Sequence, residues 1–117
     1  MKSGRTVSDY LRDIIEYAAI ADELIVGMDF DGFNSDRRTH MAVIRAIEVI
    51  GEAARYVPES LRRAYPAVPW TRIVGTRNIV AHGYFGVDLK VVWDSVLEDL
   101  PPLRDAVARM LDDIEAG

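Results

Sequence analysis

The stretch VSDYLRDIIEYAAIADELIVGM, residues 7–28, decides the fold of this chain. Its apolar residues recur at spacings of three and four, which is the period of an α-helix with one buried face. The residues that form this face are Leu11, Ile14, Ile15, Ala18, Ala21, Leu24 and Ile25. The pattern predicts a first helix over Val7–Met28, capped at its start by Thr6 or Ser8.

The helical period returns further along the chain. Residues 29–35 contain a glycine, an asparagine and two aspartates, which predicts a loop. A second long helix is predicted from Asp36, capped by Ser35 and ended by Pro58. A short helix from Pro58 to about residue 65 follows, and then a helix from residue 70 to about residue 82 that closes at a glycine.

The C-terminal part is also predicted to be helical. Asp88 caps it, and Pro101-Pro102 is predicted to bend or break it. No segment alternates between apolar and polar residues, so no sheet is expected. The prediction is an all-α bundle of about four main helices and one short helix, in a single domain over residues 1–117.

The composition excludes several classes of protein and of functional site. Hydrophobic residues are 50% and charged residues 28% of the chain, the balance of a packed globular protein and not of a disordered one. With no cysteine, disulfides, thiolate nucleophiles and cysteine-based zinc sites are excluded. No apolar run is long enough for a membrane helix, and we expect a cytoplasmic protein.

The charges are distributed unevenly. The net charge is −5, but residues 36–77 contain eight arginines and four acidic residues. Arginine suits bidentate contact with phosphate, so Arg37, Arg38 and Arg45 are candidates for an RNA-binding surface. The alternative is an ordinary solvated helix face, with arginines paired to glutamates such as Glu48 and Glu52.

Two histidines are the candidates for acid–base chemistry near neutral pH. His40 is interpreted as a surface or partly buried helix residue, and a phosphate-contact role is the open alternative. His82 ends its predicted helix, and Asn78, four residues earlier, lies on the same helical face. Arg77 lies about 140° around a regular helix from His82, so the two converge only through a distorted helix end or a second subunit.

The run Arg77-Asn78-Ile79-Val80-Ala81-His82-Gly83-Tyr84 resembles the Arg-x4-His-x-Tyr motif of the HepT toxins in the HEPN ribonuclease superfamily. Residues 47–53 resemble the second helix of these toxins, and residues 91–93 and 100–101 resemble their C-terminal half. The similarity covers about residues 11–111. Thr76 departs from the family, in which many members carry methionine, and we expect a change of packing there.

The resemblance implies a HEPN-type helical homodimer that cleaves RNA through the 2′-hydroxyl, without a metal ion or cofactor. In that scheme His82 is the general acid or base, Arg77 holds the phosphate and Asn78 orients His82 or the phosphate. Without the resemblance, the residues alone favour a structural role for these three side chains over a catalytic one.

The resemblance also implies a partner. Members of this family form type VII toxin–antitoxin systems, in which a minimal nucleotidyltransferase, MntA, transfers AMP to the motif tyrosine, here Tyr84. The structural alternative for Tyr84 is packing against Phe85 and Trp93. A second function stays open, a non-catalytic module that binds a nucleotidyltransferase or a nucleotide. Glu52 is either a buried carboxylate paired with an arginine such as Arg77 or a surface charge.

Overall fold

A computed structural model describes residues 4–75 and 88–117. Every regular element in these two ranges is helical, which confirms the all-α prediction. None of these helices is both long and apolar enough to cross a membrane. The elements are α1 (Val7–Ile25), α2 (Phe30–Ser35), α3 (Arg37–Arg55), α4 (Glu59–Arg63), α5 (the helical residues 70–75), α6 (Leu89–Asp94), a π-helical turn (Ser95–Asp99) and α7 (Leu100–Ala116).

The core lies where α1 packs against α3 and α7. The predicted apolar face of α1 supplies five fully or almost fully buried residues, Leu11, Ile14, Ala18, Ala21 and Ile25. Thr6 caps the helix, as predicted: its Oγ1 accepts from the Asp9 N–H at 3.2 Å, and Asp9 Oδ2 accepts from the Thr6 N–H at 2.9 Å. The helix ends at Ile25, three residues earlier than predicted, because Gly27 takes a positive φ of 79°.

The loop predicted over residues 29–35 is wrong, because most of this segment forms α2. Asp29 caps α2 by accepting from the Gly32 N–H at 2.8 Å. Phe33 is fully buried, so one aromatic side chain fixes a helix too short to show a period. The predicted Ser35 cap of α3 is also wrong: Asp36 is the cap, and its Oδ1 accepts from the Thr39 N–H at 3.0 Å.

The predicted bend at Pro101-Pro102 takes the form of the π-helical turn just before them. The Leu100 N–H donates to the carbonyl of Ser95, five residues back, instead of four. Each proline lacks an N–H and its ring would clash with the carbonyl four residues earlier, so a wider turn relieves both conflicts. The helical path therefore continues from α6 into α7 without a break.

Candidate functional site

The four motif residues that the sequence singles out, Arg77, Asn78, His82 and Tyr84, lie outside the described residues. Before the motif, the chain is described as far as α5; after it, the description resumes at Asp88. Two described segments flank the motif in sequence, and identifiable side chains hold each of them in place.

The segment before the motif is held by the core. Trp70 and Ile73 of α5 are buried at 9% and 3% exposure. The indole Nε1 of Trp70 donates to the carbonyl of Tyr65 at 3.1 Å, and the Ile73 N–H donates to the carbonyl of Pro69 at 3.0 Å. Pro69 thus directly precedes α5, as the sequence predicts, since a proline needs no N–H partner at a helix start.

The segment after the motif is held by a cap and by aromatic packing. Asp88 Oδ1 accepts from the N–H groups of Lys90 and Val91 at 2.9 and 3.4 Å, which confirms the predicted cap. Trp93 of α6 is buried, and its ring centroid lies 5.2 Å from that of Phe33 and 6.2 Å from that of Phe30. The predicted packing of Tyr84 on Trp93 involves a residue outside the described ranges.

An ion pair joins the two flanking segments. Arg72 of α5 donates through Nε to both carboxylate oxygens of Asp99, at 3.0 and 3.2 Å, and through Nη2 to Oδ1 at 2.6 Å. Asp99 is only 3% exposed, and the Ser95 hydroxyl lies 3.4 Å from its Oδ2. Hydrogen bonding to Asp99 and its negative charge raise the pKa of Arg72 above its usual value. We call these three side chains the Arg72–Asp99–Ser95 cluster.

The sequence patterns do not predict this cluster. Arg72 stood among eight arginines of the basic middle, and Asp99 stood among eight acidic residues of the last forty. The one available signal is the proline pair directly after Leu100, because prolines in a helical stretch predict a local distortion. That signal does not reveal which side chain the distortion turns inward.

The arginines proposed for RNA binding are exposed on α3. Arg37 and Arg38 form no ion pair within residues 4–75 and 88–117. Arg45 lies 4.0 Å from Glu48 and borders a groove of about 500 Å³ between α1 and α3 that four carboxylates also line. These surroundings favour the phosphate interpretation for Arg37 and Arg38 over Arg45.

Two further residues whose roles the sequence leaves open, His40 and Glu52, lie within the described ranges. His40 is partly buried, as predicted, with Nδ1 3.4 Å from the carbonyl of Phe33 and its ring edge-on to the Phe33 ring. Glu52 is half-exposed and pairs with Arg55 at 3.2 Å, so it is not a fully buried carboxylate. In the part of the chain that the structure describes, no group of three or more acidic or histidine side chains could hold a metal ion.

Comparison with known proteins identifies a family and several relatives that this chain resembles. Residues 14–110 match the family described as Ribonuclease HepT-like. A protein of Thermococcus cleftensis named "Probable ribonuclease HepT" is 41% identical over 100 residues, 86% of this chain and 91% of its own. A candidate RNase of Methanocaldococcus jannaschii is 42% identical over 105 residues, 90% of this chain and 96% of its own. No solved structure matches this chain.

Proposed function

Because the chain belongs to the HepT-like ribonuclease family, we propose that it is the RNase toxin of a type VII toxin–antitoxin pair and cleaves RNA without a metal ion. One observation carries the proposal: the family match over residues 14–110 includes an intact Arg-x4-His-x-Tyr motif. RNA as substrate and an ATP-using partner are consistent with action in the cytoplasm.

The proposed reaction is transesterification within RNA. His82 removes the proton from a 2′-hydroxyl, and that oxygen attacks the adjacent phosphorus. The bond from phosphorus to the 5′-oxygen breaks, and this oxygen takes a proton from water, while the protonated His82 returns its proton to the resulting hydroxide. The products are a 2′,3′-cyclic phosphate and a 5′-hydroxyl. The need for a 2′-hydroxyl makes DNA resistant.

Arg77 and Asn78 complete the proposed site. Arg77 binds the non-bridging phosphate oxygens and stabilises the charge that develops on them in the transition state. Asn78 orients His82 or the phosphate. Because Arg77 and His82 lie about 140° apart on a regular helix, we propose that a homodimer brings the two motifs together at its interface.

Arg37 and Arg38 extend the proposed RNA surface beyond the motif. Both are exposed and belong to the basic middle of the chain. Neither forms an ion pair within the described ranges, so their guanidinium groups are available to phosphate. Arg45 is the weaker candidate because of the carboxylates beside it.

The experiment is cleavage of total cellular RNA by purified protein in EDTA. We expect wild type to produce discrete fragments with cyclic phosphate ends and His82→Ala to produce none. His40→Ala is the matched control, since it removes the other histidine of the chain, and it should cleave like wild type.

Equal cleavage by wild type and His82→Ala would remove His82 from the mechanism. No cleavage by either, from dimer shown by mass spectrometry to be free of AMP, would favour the non-catalytic interaction module.

Control by the partner is part of the same proposal. The partner nucleotidyltransferase directs the Tyr84 phenol oxygen to the α-phosphate of ATP, which forms a tyrosyl-AMP ester and releases pyrophosphate. The added phosphate is negatively charged and lies two residues from His82 in sequence, so it repels an RNA backbone.

Mass spectrometry after incubation with ATP and the partner tests this modification. AMP should add to wild type and to the control Tyr65→Phe but not to Tyr84→Phe. Labelling of Tyr84→Phe to the wild-type extent would assign the modification to another residue.

A further inference from the structure

Asp99 is the one buried charged side chain within residues 4–75 and 88–117. It pairs with Arg72, 27 residues earlier in sequence. The pair therefore closes a chain segment that contains the whole motif, Arg77 to Tyr84. The other ion pairs between distant residues in the described part, Arg12–Glu115 and Arg104–Asp22, close segments of 103 and 82 residues, and neither pair has a buried carboxylate.

The geometry of the contact is specific. Arg72 presents two nitrogens to two carboxylate oxygens, which fixes the orientation of both side chains and not only their distance. The carboxylate sits at the end of the π-helical turn, where the Leu100 N–H reaches back five residues to Ser95. Ser95, also buried, lies beside the same carboxylate and limits its rotation.

Stability alone is a poor reason for this arrangement. The Asp99 carboxylate is buried, whereas the Arg72 side chain is 65% exposed. Desolvating the carboxylate offsets much of the attraction and water screens the exposed guanidinium, so the ion pair contributes little net stability. The following prolines account for the π-helical turn, so the buried carboxylate is the feature that stability does not explain. Its ion pair closes the segment that carries the motif, which points to a positioning role.

We propose that the Arg72–Asp99–Ser95 cluster is a positioning device for the catalytic motif. It joins α5 at Arg72, five residues before Arg77 in sequence, to the end of the π-helical turn that precedes α7. Arg77 and His82 act on the phosphate, and the cluster sets the direction in which the chain enters the motif. This role rests on the proposed RNase activity, for which Arg72, Asp99 and Ser95 are positioning residues.

Steady-state cleavage of one RNA oligonucleotide tests this role, with Arg72→Gln, Asp99→Asn and Arg72→Lys. A displaced catalytic group lowers kcat, whereas a lost substrate contact raises KM. We expect Arg72→Gln and Asp99→Asn to lower kcat about tenfold to a hundredfold and to leave KM within about twofold. Arg72→Lys, which keeps the charge but not the paired hydrogen bonds, should recover part of that loss.

The matched control is Arg104→Gln. Arg104 pairs with Asp22 between α7 and α1, so this variant also loses an interhelical ion pair, but one whose residues do not flank the motif. All variants are compared well below their unfolding temperatures, with the folded fraction checked by circular dichroism. Arg104→Gln should keep the wild-type kcat and KM.

Three kinetic results would overturn the proposal. The first is a wild-type kcat in folded Arg72→Gln and Asp99→Asn. The second is a rise in KM alone, which would make Arg72 an RNA contact. The third is an equal loss of kcat in Arg104→Gln, which would make the effect one of general stability.

A second measurement keeps the proposal testable if wild type does not cleave RNA, a result that would refute the proposed function. The chain has two histidines, so their ring-proton NMR resonances can be followed separately between about pH 5 and pH 9. Arg72→Gln should shift the His82 resonance and its titration curve, and should leave the His40 resonance in place. Unchanged His82 signals in Arg72→Gln and Asp99→Asn would overturn the positioning role.

Discussion

Phe33→Ala tests whether α2 is an integral part of the core. Phe33 is fully buried, and its ring centroid lies 5.2 Å from that of Trp93 and 6.5 Å from that of Phe30. Removing a buried phenylalanine side chain costs about 3–5 kcal/mol, of which each aromatic contact accounts for about 0.5–1.5 kcal/mol. That is a large part of the roughly 5–15 kcal/mol that stabilises a typical domain.

Urea unfolding followed by circular dichroism measures the loss, at one fixed protein concentration because association also stabilises the folded state. Phe33→Leu keeps most of the volume and should cost about 1–1.5 kcal/mol. Val26→Ala is the control: Val26 is 77% exposed, and its loss should change stability by less than about 0.5 kcal/mol. If Phe33→Ala lowers the free energy of unfolding by less than about 1 kcal/mol, and the dependence of that free energy on urea concentration is unchanged, the placement of Phe33 in the core is refuted.

Two further predictions concern α3. Hydrogen bonds from the backbone N–H and the side chain of Thr39 lower the pKa of Asp36 below its usual value of 3.8, so the stabilising effect of this cap is complete above that pH and is lost as the pH falls through the lowered value. Asp36→Ala should therefore lower the melting temperature at pH 7, with a difference from wild type that shrinks in acid; a difference that stays constant with pH would contradict this. Arg38→Gln should reduce the slope of log affinity for single-stranded RNA against log salt by about 0.7, the value for one phosphate contact. Arg109→Gln, on α7 beside Asp105, should leave that slope unchanged, and equal slopes for all three proteins would remove Arg38 from the RNA surface.

The parts of the fold that the sequence predicts are those in which a period repeats many times. Helices α1 and α3 each have 19 residues, so their buried faces recur over five turns and identify both the helix and its inward side. Helix α2 has six residues and contains Gly32 and Asn34, whose turn chemistry outweighs a single buried Phe33. A helix stabilised by tertiary packing of one side chain has no local pattern to detect.

The residues of the candidate site also differ in whether the sequence reveals them. The motif residues follow one another within eight positions, so their spacing is visible in the sequence. The Arg72–Asp99 pair is not visible there, because its partners are 27 residues apart and the π-helical turn changes which side chains face inward. Helical spacing predicts one apolar face for Val92, Val96 and Leu100, and all three are buried, but it gives no reason to bury a carboxylate at Asp99.

The distribution of ion pairs also bears on the position of the proposed RNA surface. Arg55 and Arg63 pair with Glu52 and Glu59 on their own helices, so much of the positive charge of the basic middle is already compensated. Within residues 4–75 and 88–117, the arginines of α3 that form no ion pair are Arg37 and Arg38, at its N-terminus. Helix α2 packs against both α3 and α6, and α6 begins directly after Asp88, where the description resumes beyond the motif. The aromatic contact between Phe33 and Trp93 of α6 holds these elements together. We therefore expect Phe33→Leu to bind RNA more weakly than wild type by more than the variant's unfolded fraction accounts for.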